Sequence, residues 1–259
     1  MAQSDAYKPM LELTYLGNAT VGIASPETSV VIDPFVTENP ECPFGIDRVL
    51  ELVGDGESVD AICVTHLGYD HVGDAVTLAT DYGCPVITEP GTEHYLRHHG
   101  VPEQTITSMT SGMKATIGDL TIRGLEARHI STTVIDDRLV TGEPLGFLVE
   151  AGESSIYHLG DTSLFSDLKL FGDRYSPDVA LIGVGQAHSE ADTDGPVTRI
   201  LHELTTDEAV TVARWIDSEA VVPIHYLPEE KTAFLEAIEA TTDVPDVVPM
   251  EPGDQLTVD

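Results

Sequence analysis

The stretch THLGYDH, residues 65–71, places two histidines and an aspartate within six residues. Imidazole nitrogens and carboxylate oxygens are ligands of Zn²⁺, Mn²⁺ and Fe²⁺. His66 follows an apolar run, whereas Asp70 and His71 come just before an apolar-periodic segment. A loop between a strand and a helix can therefore address one or two ions. Taken alone, Asp70 would also fit the N-cap of a helix that begins near Val72.

Further residues of the same types stand where strands are predicted to end or connections to begin: His129, His158, Asp161 and His225. Strand ends are rigid and open, which is why functional groups collect there. Singly, His129 could pair with Asp136 or Asp137, and His158 could bond a backbone carbonyl or support the ligands from behind. His225 could be a satisfied histidine beside Tyr226. Together with the compact cluster, the set favours a metal site.

Val- and Ile-rich runs bounded by Gly, Pro and acidic residues predict strands that position these side chains. They cover residues 11–16, 20–24, 29–32, 61–65, 85–88, 120–126, 145–151, 155–159, 179–184, 220–224, 247–248 and 256–258. Helical periodicity predicts helices over residues 72–82, 92–99, 207–217 and 229–240. The two halves of the chain also share a weak internal similarity, here called the echo. DAICVTH (60–66) resembles EAVVPIH (219–225), and a predicted hairpin precedes both Asp33 and Asp161.

The charge balance is extreme, with 45 acidic against 12 basic residues and a net charge of −33. The acidic residues are dispersed over a chain with 41% apolar residues, which predicts a folded protein with an acidic surface. Such self-repulsion is tolerated at high salt, so we expect a cytoplasmic protein of a high-salt cell. Nucleic acid is not an expected partner, because phosphate binding requires clustered Lys and Arg.

The three cysteines, Cys42, Cys63 and Cys84, have neither a disulfide framework nor zinc-site spacing. No N-terminal signal segment is evident, and the apolar runs are too short to span a bilayer. A membrane partner is therefore not expected, and homo-oligomerisation is left open. The expected partner is a small-molecule substrate.

The ordered motifs THLGYDH (65–71), ARHIS (127–131), YHLGDTSLF (157–165), DVALIGVG (178–185) and VPIHY (222–226) resemble the metallo-β-lactamase superfamily. The similarity extends to a small branch related to ascorbate-phosphate lactonases. It implies an α/β fold, an αβ/βα four-layer sandwich in which two similar halves each form a mixed β-sheet covered by helices. It also implies one domain over residues 1–259, with halves of roughly 1–125 and 126–259.

The resemblance also implies two metal sites. His66 and His129 would hold the first ion, and Asp70, His71 and His225 would hold the second, with Asp161 bridging both. One or two divalent ions are expected, with zinc as the first expectation and manganese or iron as alternatives. Asp70 would orient the attacking water or accept its proton.

The sequence departs from the family pattern at Gly68, where a second histidine of the cluster is expected. The first ion would then keep a water in place of that ligand, or His188 would substitute for it, with Glu190 and Asp192 as oxygen alternatives. A surface position for His188 is the competing interpretation. Gly68 could also serve a tight turn with positive φ and leave the number of metals unchanged.

The leading functional hypothesis is a metal-dependent hydrolase in which a metal-bound hydroxide attacks a small ester, lactone or phosphorylated metabolite. A non-catalytic metal-binding or ligand-sensing protein, in which Gly68 marks lost chemistry, is the alternative from another class. An iron-dependent oxygenase of the same fold is a further alternative.

Overall fold

A computed structural model describes residues 10–185, 188–189, 200–201 and 203–258, the two short middle segments by backbone only. Its first sheet is built mainly from the first half of the chain. The strands are β1 (Leu11–Gly17), β2 (Thr20–Ala24), β3 (Ser29–Ile32), β4 (Ala61–Val64), β5 (Val86–Thr88), β6 (Ile106–Ser108) and β18 (Gln255–Val258). Their order across the sheet is β18-β1-β2-β3-β4-β5-β6. The strands from β3 to β6 run parallel, and the others are antiparallel.

The second sheet is also mixed and seven-stranded. Its strands are β7 (Lys114–Ile117), β8 (Leu120–Glu126), β11 (Leu145–Ala151), β12 (Ser154–His158), β13 (Val179–Gly183), β16 (Ala220–Ile224) and β17 (Asp246–Val247). They are arranged in the order β17-β16-β13-β12-β11-β8-β7. Two short antiparallel strand pairs lie outside the two large sheets: β9 (Thr132–Ile135) with β10 (Arg138–Thr141), and β14 (His188–Ser189) with β15 (Ile200–Leu201).

Seven α-helices occur in the described residues, together with a 3₁₀ turn at Glu103–Thr105. They are α1 (Ile46–Val53), α2 (Tyr69–Val72), α3 (Ala75–Asp81), α4 (Pro90–His98), α5 (Asp167–Tyr175), α6 (Thr206–Ile216) and α7 (Pro228–Glu239). Local signals fix several starts: Thr205 and Glu208 form a capping box before α6, and Pro228 begins α7. None of these helices is long and apolar enough to cross a membrane.

Three apolar clusters arrange these elements in four layers. One joins the facing sides of the two sheets, including Leu13 and Ile32 of the first and Phe147 of the second. Another packs α1, α3 and α4 against the outer side of the first sheet, and a third packs α5, α6 and α7 against the second. Strands covered on both sides read as continuous apolar runs, as in β3 and β4. This is the predicted αβ/βα sandwich.

The boundaries differ from the sequence predictions in physically understandable ways. The helix predicted over residues 72–82 is interrupted at Gly73, whose φ is 41° and whose absent Cβ would lie 2.4 Å from the Pro34 carbonyl oxygen. Sequence periodicity missed α1 and α5 and six of the described strands: β6, β7, β9, β10, β14 and β15. The predicted strands near residues 247 and 256 lie in different sheets.

The echo between residues 60–66 and 219–225 does not correspond to equivalent sheet positions. β4 lies beside the second strand of the hairpin β2–β3, and the strand in the same place beside β11–β12 is β13, not β16. The sheets also do not divide at residue 125, because β7 and β8 belong to the second and β18 to the first. The pseudo-repeat of two halves stays a prediction.

Candidate metal centre

Four histidines converge on the buried carboxylate of Asp161. Asp161 Oδ2 lies 3.0 Å from His71 Nε2. The Nε2 atoms of His129 and His225 are 3.8 Å from the same oxygen, and that of His66 is 4.0 Å away. Two ligands of one ion bound at about 2.0–2.1 Å lie roughly 3–4 Å apart. The spacing therefore suits ligands gathered around a metal.

The loop after β4 presents three of these side chains through the short helix α2. Asp70 and His71 are consecutive residues of this single turn, and Gly68 is its N-cap. The interpretation of Asp70 as an N-cap is therefore wrong. His225 Nε2 lies 3.2 Å from Asp70 Oδ2. Although neighbours in a helix diverge, the ligand atoms of Asp70, His71 and His225 lie within 4.8 Å of one another.

Asp33 holds this loop from behind. It is fully buried, and its Oδ2 lies 2.7 Å from His71 Nδ1. The same carboxylate accepts hydrogen bonds from the Thr65 backbone N–H and the Thr65 hydroxyl, each at 2.8 Å. His71 therefore donates through Nδ1 and turns Nε2 toward the centre, where this buried nitrogen forms no well-aligned hydrogen bond. A carboxylate behind a histidine is the usual support of a metal ligand.

His66 is oriented by the same network. The Thr65 hydroxyl gives its one hydrogen to Asp33, so it accepts from His66 Nδ1, 3.0 Å away. Nε2 of His66 then faces the centre with its lone pair. Burial, followed by the charge on His71, lowers the pKa of His66 to about 3. A neutral imidazole with an inward lone pair is the form that binds a metal.

His225 follows β16 with a φ of 49°, in the left-handed region that non-glycine residues seldom adopt. Its backbone N–H donates to the Asn18 carbonyl oxygen at 3.0 Å, and its own carbonyl oxygen accepts from the Gly185 N–H at 3.0 Å. Glu203 Oε2 lies 3.1 Å from His225 Nδ1. Backbone contacts and a buried carboxylate thus fix the ring, much as Asp33 fixes His71.

Asn18 joins the two sheets at the centre. It occupies the β1–β2 turn with a φ of 53°, a conformation that Asn adopts more readily than most residues. Its side-chain N–H donates to Asp70 Oδ2 at 3.2 Å, and its carbonyl oxygen accepts from His225 as described. One turn therefore holds a candidate ligand of each sheet.

The segment that carries His129 is tied to the first sheet through Ser131. The Ser131 hydroxyl donates to Glu89 Oε1 at 3.0 Å and accepts from the Leu67 backbone N–H at 3.1 Å. Glu89 is fully buried and also caps α4 by accepting from the backbone N–H groups of Gly91 and Thr92. This network fixes the distance between the loops of His129 and His66.

The carboxylates and imidazoles shift one another's pKa values. Burial alone would raise the pKa of Asp161 and lower those of His71 and His225. Their opposite charges prevail, so that the pKa of Asp161 is well below its usual value and those of both histidines are well above. For Asp70, the hydrogen bond to His225 and the charge of His71 outweigh burial and lower the pKa. Burial and the charge of Asp161 raise the pKa of Glu203 to about 7.

Comparison with known proteins shows the family of this chain. Residues 28–226 match the family model of the beta-lactamase superfamily domain. A UPF0173 metal-dependent hydrolase of Rubrobacter xylanophilus is 33% identical over 83% of this chain and 81% of its own length. Another from Methanosarcina mazei is 30% identical over 95% of this chain and 98% of its own. The chain belongs to the UPF0173 metal-dependent hydrolases of the β-lactamase superfamily.

Among solved structures, Igni18, described as a metallo hydrolase from the archaeon Ignicoccus hospitalis, superposes with a TM-score of 0.77 at 24% identity. The match covers 96% of this chain and 99% of that one. It supports the fold, and the metallo-β-lactamase sandwich predicted from the motifs is confirmed.

In this metal-dependent hydrolase, the six predicted ligands lie close together. Asp161 is at the centre of the group, and the other five are His66, Asp70, His71, His129 and His225. Their ligand roles stay a prediction. His158 faces elsewhere, because its Nε2 lies 2.9 Å from the Ala19 carbonyl oxygen and its Nδ1 accepts from Gly160 N–H. Both ring nitrogens of His158 are therefore hydrogen-bonded to backbone groups. The side chains of His188, Glu190 and Asp192 lie outside the described residues.

Gly68 does not serve a turn with positive φ. Its φ is −72°, which any residue can adopt, so that interpretation is wrong. A Cβ at this position would lie 2.7 Å from His71 Cδ2 and 2.8 Å from His66 Nε2. The two imidazoles approach each other directly over the glycine, with ring centroids 4.2 Å apart. A side chain at residue 68 would require these rings to move.

The cluster lies at the floor of an open cleft of about 750 Å³. Large apolar side chains line its rim, among them Tyr69, which is 81% exposed, Ile130 and Leu227.

Sequence reasoning did not assign roles to Asn18, Asp33, Glu89, Ser131 and Glu203. The sequence offered a signal for two of them: Asp33 ends a predicted strand, and Glu89 precedes Pro-Gly-Thr at a helix start.

Proposed function

We propose that this protein hydrolyses an uncharged ester or lactone that carries an apolar group, with one or two divalent ions held by the residues around Asp161. The observation that carries the proposal is the convergence of four inward-facing imidazoles on one buried carboxylate at the floor of a cleft. The inward Nε2 of His71, which lies 3.0 Å from Asp161 Oδ2 without a well-aligned hydrogen bond, and the mixed nitrogen and oxygen donors fit zinc, manganese or iron. A bound ion supplies Lewis acidity and lowers the pKa of water.

The residues around the ions would then have three roles: metal binding, orientation of the water and support of the imidazoles. Asp70, His71 and His225 would hold one ion, and His66 and His129 the other, with Asp161 shared. Asp70 is proposed to orient the attacking water or accept its proton, with one carboxylate oxygen held by the Asn18 amide. Asp33 and Glu203 would keep the imidazoles of His71 and His225 turned inward.

The cleft supports the choice of an uncharged substrate. Among its described lining residues, none is lysine or arginine, whereas Glu41, Glu203 and Glu230 are acidic. Phosphate groups are usually held by arginine, lysine or helix N-termini. A phosphorylated metabolite, including an ascorbate-phosphate lactone, is therefore the weaker proposal. The apolar rim offers a surface for an acyl chain or an aromatic group.

The test begins with protein purified in high salt, whose metals are counted by elemental analysis. Hydrolysis of p-nitrophenyl acetate and butyrate, γ-butyrolactone and longer-chain lactones is compared with that of p-nitrophenyl phosphate and its diester. We expect ester or lactone hydrolysis that chelation abolishes and added metal restores. His66→Ala, Asp70→Ala and His225→Ala should lose metal and activity, whereas the exposed control His98→Ala should keep both.

Activity that survived complete metal removal would contradict the mechanism. Faster turnover of the phosphate esters would contradict the substrate class. Metal binding without hydrolysis of any substrate in the panel would favour the non-catalytic alternative, and oxygen uptake would favour the oxygenase.

We also infer a cytoplasmic protein of a high-salt cell without a nucleic-acid or membrane partner. The net charge of −33 supports this inference. Screening shortens the range of charge repulsion from about 10 Å at 0.1 M salt to about 3 Å at 1 M. The melting temperature should therefore rise steeply between 0.1 M and 2 M KCl. A melting temperature independent of salt would contradict the inference.

A further inference from the structure

Glu203 is a buried carboxylate at the metal centre that does not belong to the histidine and aspartate motifs. It lies just before buried Leu204 and the capping residue Thr205, which together anchor the start of α6. Its side chain is 4% exposed. The ligand atoms of His129, Asp161 and Glu203 lie within 4.8 Å of one another. The carboxylate is therefore fixed beside the ion position that the Gly68 departure leaves short of a ligand.

The missing ligand cannot come from the loop after β4 without rearrangement. Over Gly68, the space that a side chain would enter is taken by the rings of His66 and His71. A further protein ligand for an ion near His66 and His129 would therefore have to come from another element. Glu203, in the segment before α6, is a described carboxylate of the cleft that groups with His129 and Asp161.

We propose that Glu203 supplies to the ion at His66, His129 and Asp161 the protein ligand that Gly68 does not provide. The proposal rests on the metal-dependent function proposed above. Two carboxylates buried side by side are unfavourable unless cations lie close to them. In the metal-free protein His71 lies beside Asp161 and His225 beside Glu203, and an ion between the two carboxylates would contact both. A carboxylate in place of an imidazole also gives this ion one more oxygen ligand. An oxygen-rich site favours Mn²⁺ or Fe²⁺ more than a three-histidine site does.

A competing role is that Glu203 acts only through His225, whose Nδ1 lies 3.1 Å from Glu203 Oε2. In that case Glu203 is a positioning residue for the other ion, comparable to Asp33 behind His71. The two roles differ in which ion depends on Glu203. A carboxylate has two oxygens with two lone pairs each, so a bond to His225 does not by itself prevent Glu203 from binding an ion.

A double-mutant cycle on metal binding separates these roles. Wild type, Glu203→Gln, His225→Ala and the double variant are stripped of metal and titrated with Mn²⁺ alone, with free Mn²⁺ measured by electron paramagnetic resonance. Folding is checked by circular dichroism and melting temperature. Glu230→Gln, which removes another carboxylate of the same cleft, is the matched control and should bind Mn²⁺ as wild type does.

His225→Ala should leave one Mn²⁺ bound. We expect Glu203→Gln to lower the affinity for that ion by about tenfold or more, so that the double variant loses it. A Glu203→Gln substitution without effect in the His225→Ala background would overturn the proposal in favour of the positioning role. Unchanged Mn²⁺ binding by Glu203→Gln in the wild-type background would also overturn it, while leaving the proposed function intact. A wild type that binds no ion would overturn both.

A second variant keeps the proposal testable if Glu203→Gln folds poorly. Glu203→His replaces the carboxylate with an imidazole, and as a ligand it should retain the ion while shifting its preference from Mn²⁺ toward Zn²⁺ in competition titrations. An unchanged preference would contradict a ligand role, because a residue that only positions His225 does not contact the ion.

Discussion

His66, Asp70 and His71 stand on one loop after β4 of the first sheet, whereas His129, Asp161 and His225 stand on three separate connections of the second. His66 and His71 of the first group share one support, since Asp33 contacts His71 directly and His66 through Thr65, whereas Asn18 holds Asp70. The second group has separate supports. Thr162 accepts from the Arg128 backbone N–H beside His129, and Asn18 and Glu203 hold His225.

The difference between the sheets is visible at equivalent positions of their hairpins. The Asp33 backbone N–H donates to Cys63 in the strand beside it, and the Leu159 N–H donates to Leu181 in the same way. The first sheet thus has a buried carboxylate where the second has a buried leucine. A change at the shared support should disturb several ligands at once, whereas a change in the second sheet should disturb one.

The strongest expected effect is that of Asp33→Ala. Removal of the carboxylate leaves His71 and Thr65 without their buried partner, which should lower metal affinity by about 100-fold. The free energy of unfolding should fall by about 3–5 kcal/mol, as when a buried ion pair is broken. Metal titration and denaturant unfolding measure the two effects. Leu159→Ala is the positional control: it should lose stability but bind metal normally. Normal metal affinity in Asp33→Ala would contradict a shared support.

The second prediction concerns pH. Because the pKa values of His71 and His225 are raised in the metal-free protein, both must lose a proton to bind an ion. Metal affinity should therefore rise with pH between pH 6 and 8, by up to about tenfold per unit for each proton released. Competition titrations at several pH values measure the slope. Asp33→Asn should reduce it by about one proton, and a flat profile would contradict the assignment.

A smaller effect is expected for Ser131, which connects the loop of His129 to the loop of His66. Ser131→Ala removes the hydroxyl between Glu89 and the Leu67 N–H, which should cost about 1–2 kcal/mol of stability. Hydrolysis should fall several-fold, because the His129 loop is no longer fixed to the His66 loop. Steady-state kinetics and thermal unfolding measure these changes. Ser163→Ala, which removes an outward hydroxyl bond to Arg128, is the control and should change neither strongly.

The smallest effect should be equal in the two sheets. Asp60 accepts from the backbone N–H of Ser29 at 2.8 Å, and Asp178 accepts from that of Ser155 at 2.6 Å. Asp60→Ala and Asp178→Ala should each lower the free energy of unfolding by about 1 kcal/mol and leave metal content unchanged. Values that differed by more than about 1 kcal/mol would argue against the equivalence of these positions and weaken the predicted pseudo-repeat.

Much of the fold could be read from local patterns. Continuous apolar runs predicted the central strands, and β2, β3, β8, β11 and β16 have the predicted bounds. Peripheral strands such as β9 and β10 escaped prediction because exposed residues such as Val134 and Leu139 lack a buried face. The break between α2 and α3 also escaped, since it depends on the Pro34 carbonyl oxygen that crowds Gly73.

The sequence by itself determined the types and order of the residues at the candidate metal centre, since ligand chemistry depends on side-chain type and the motifs contain these residues at fixed spacings. Tertiary structure decided what surrounds them. Residues 18, 33, 89 and 203 are distant along the chain, and their buried contacts exist only because strand ends of two sheets meet. It also decided that Gly68 has an ordinary φ, since this residue is the N-cap of α2.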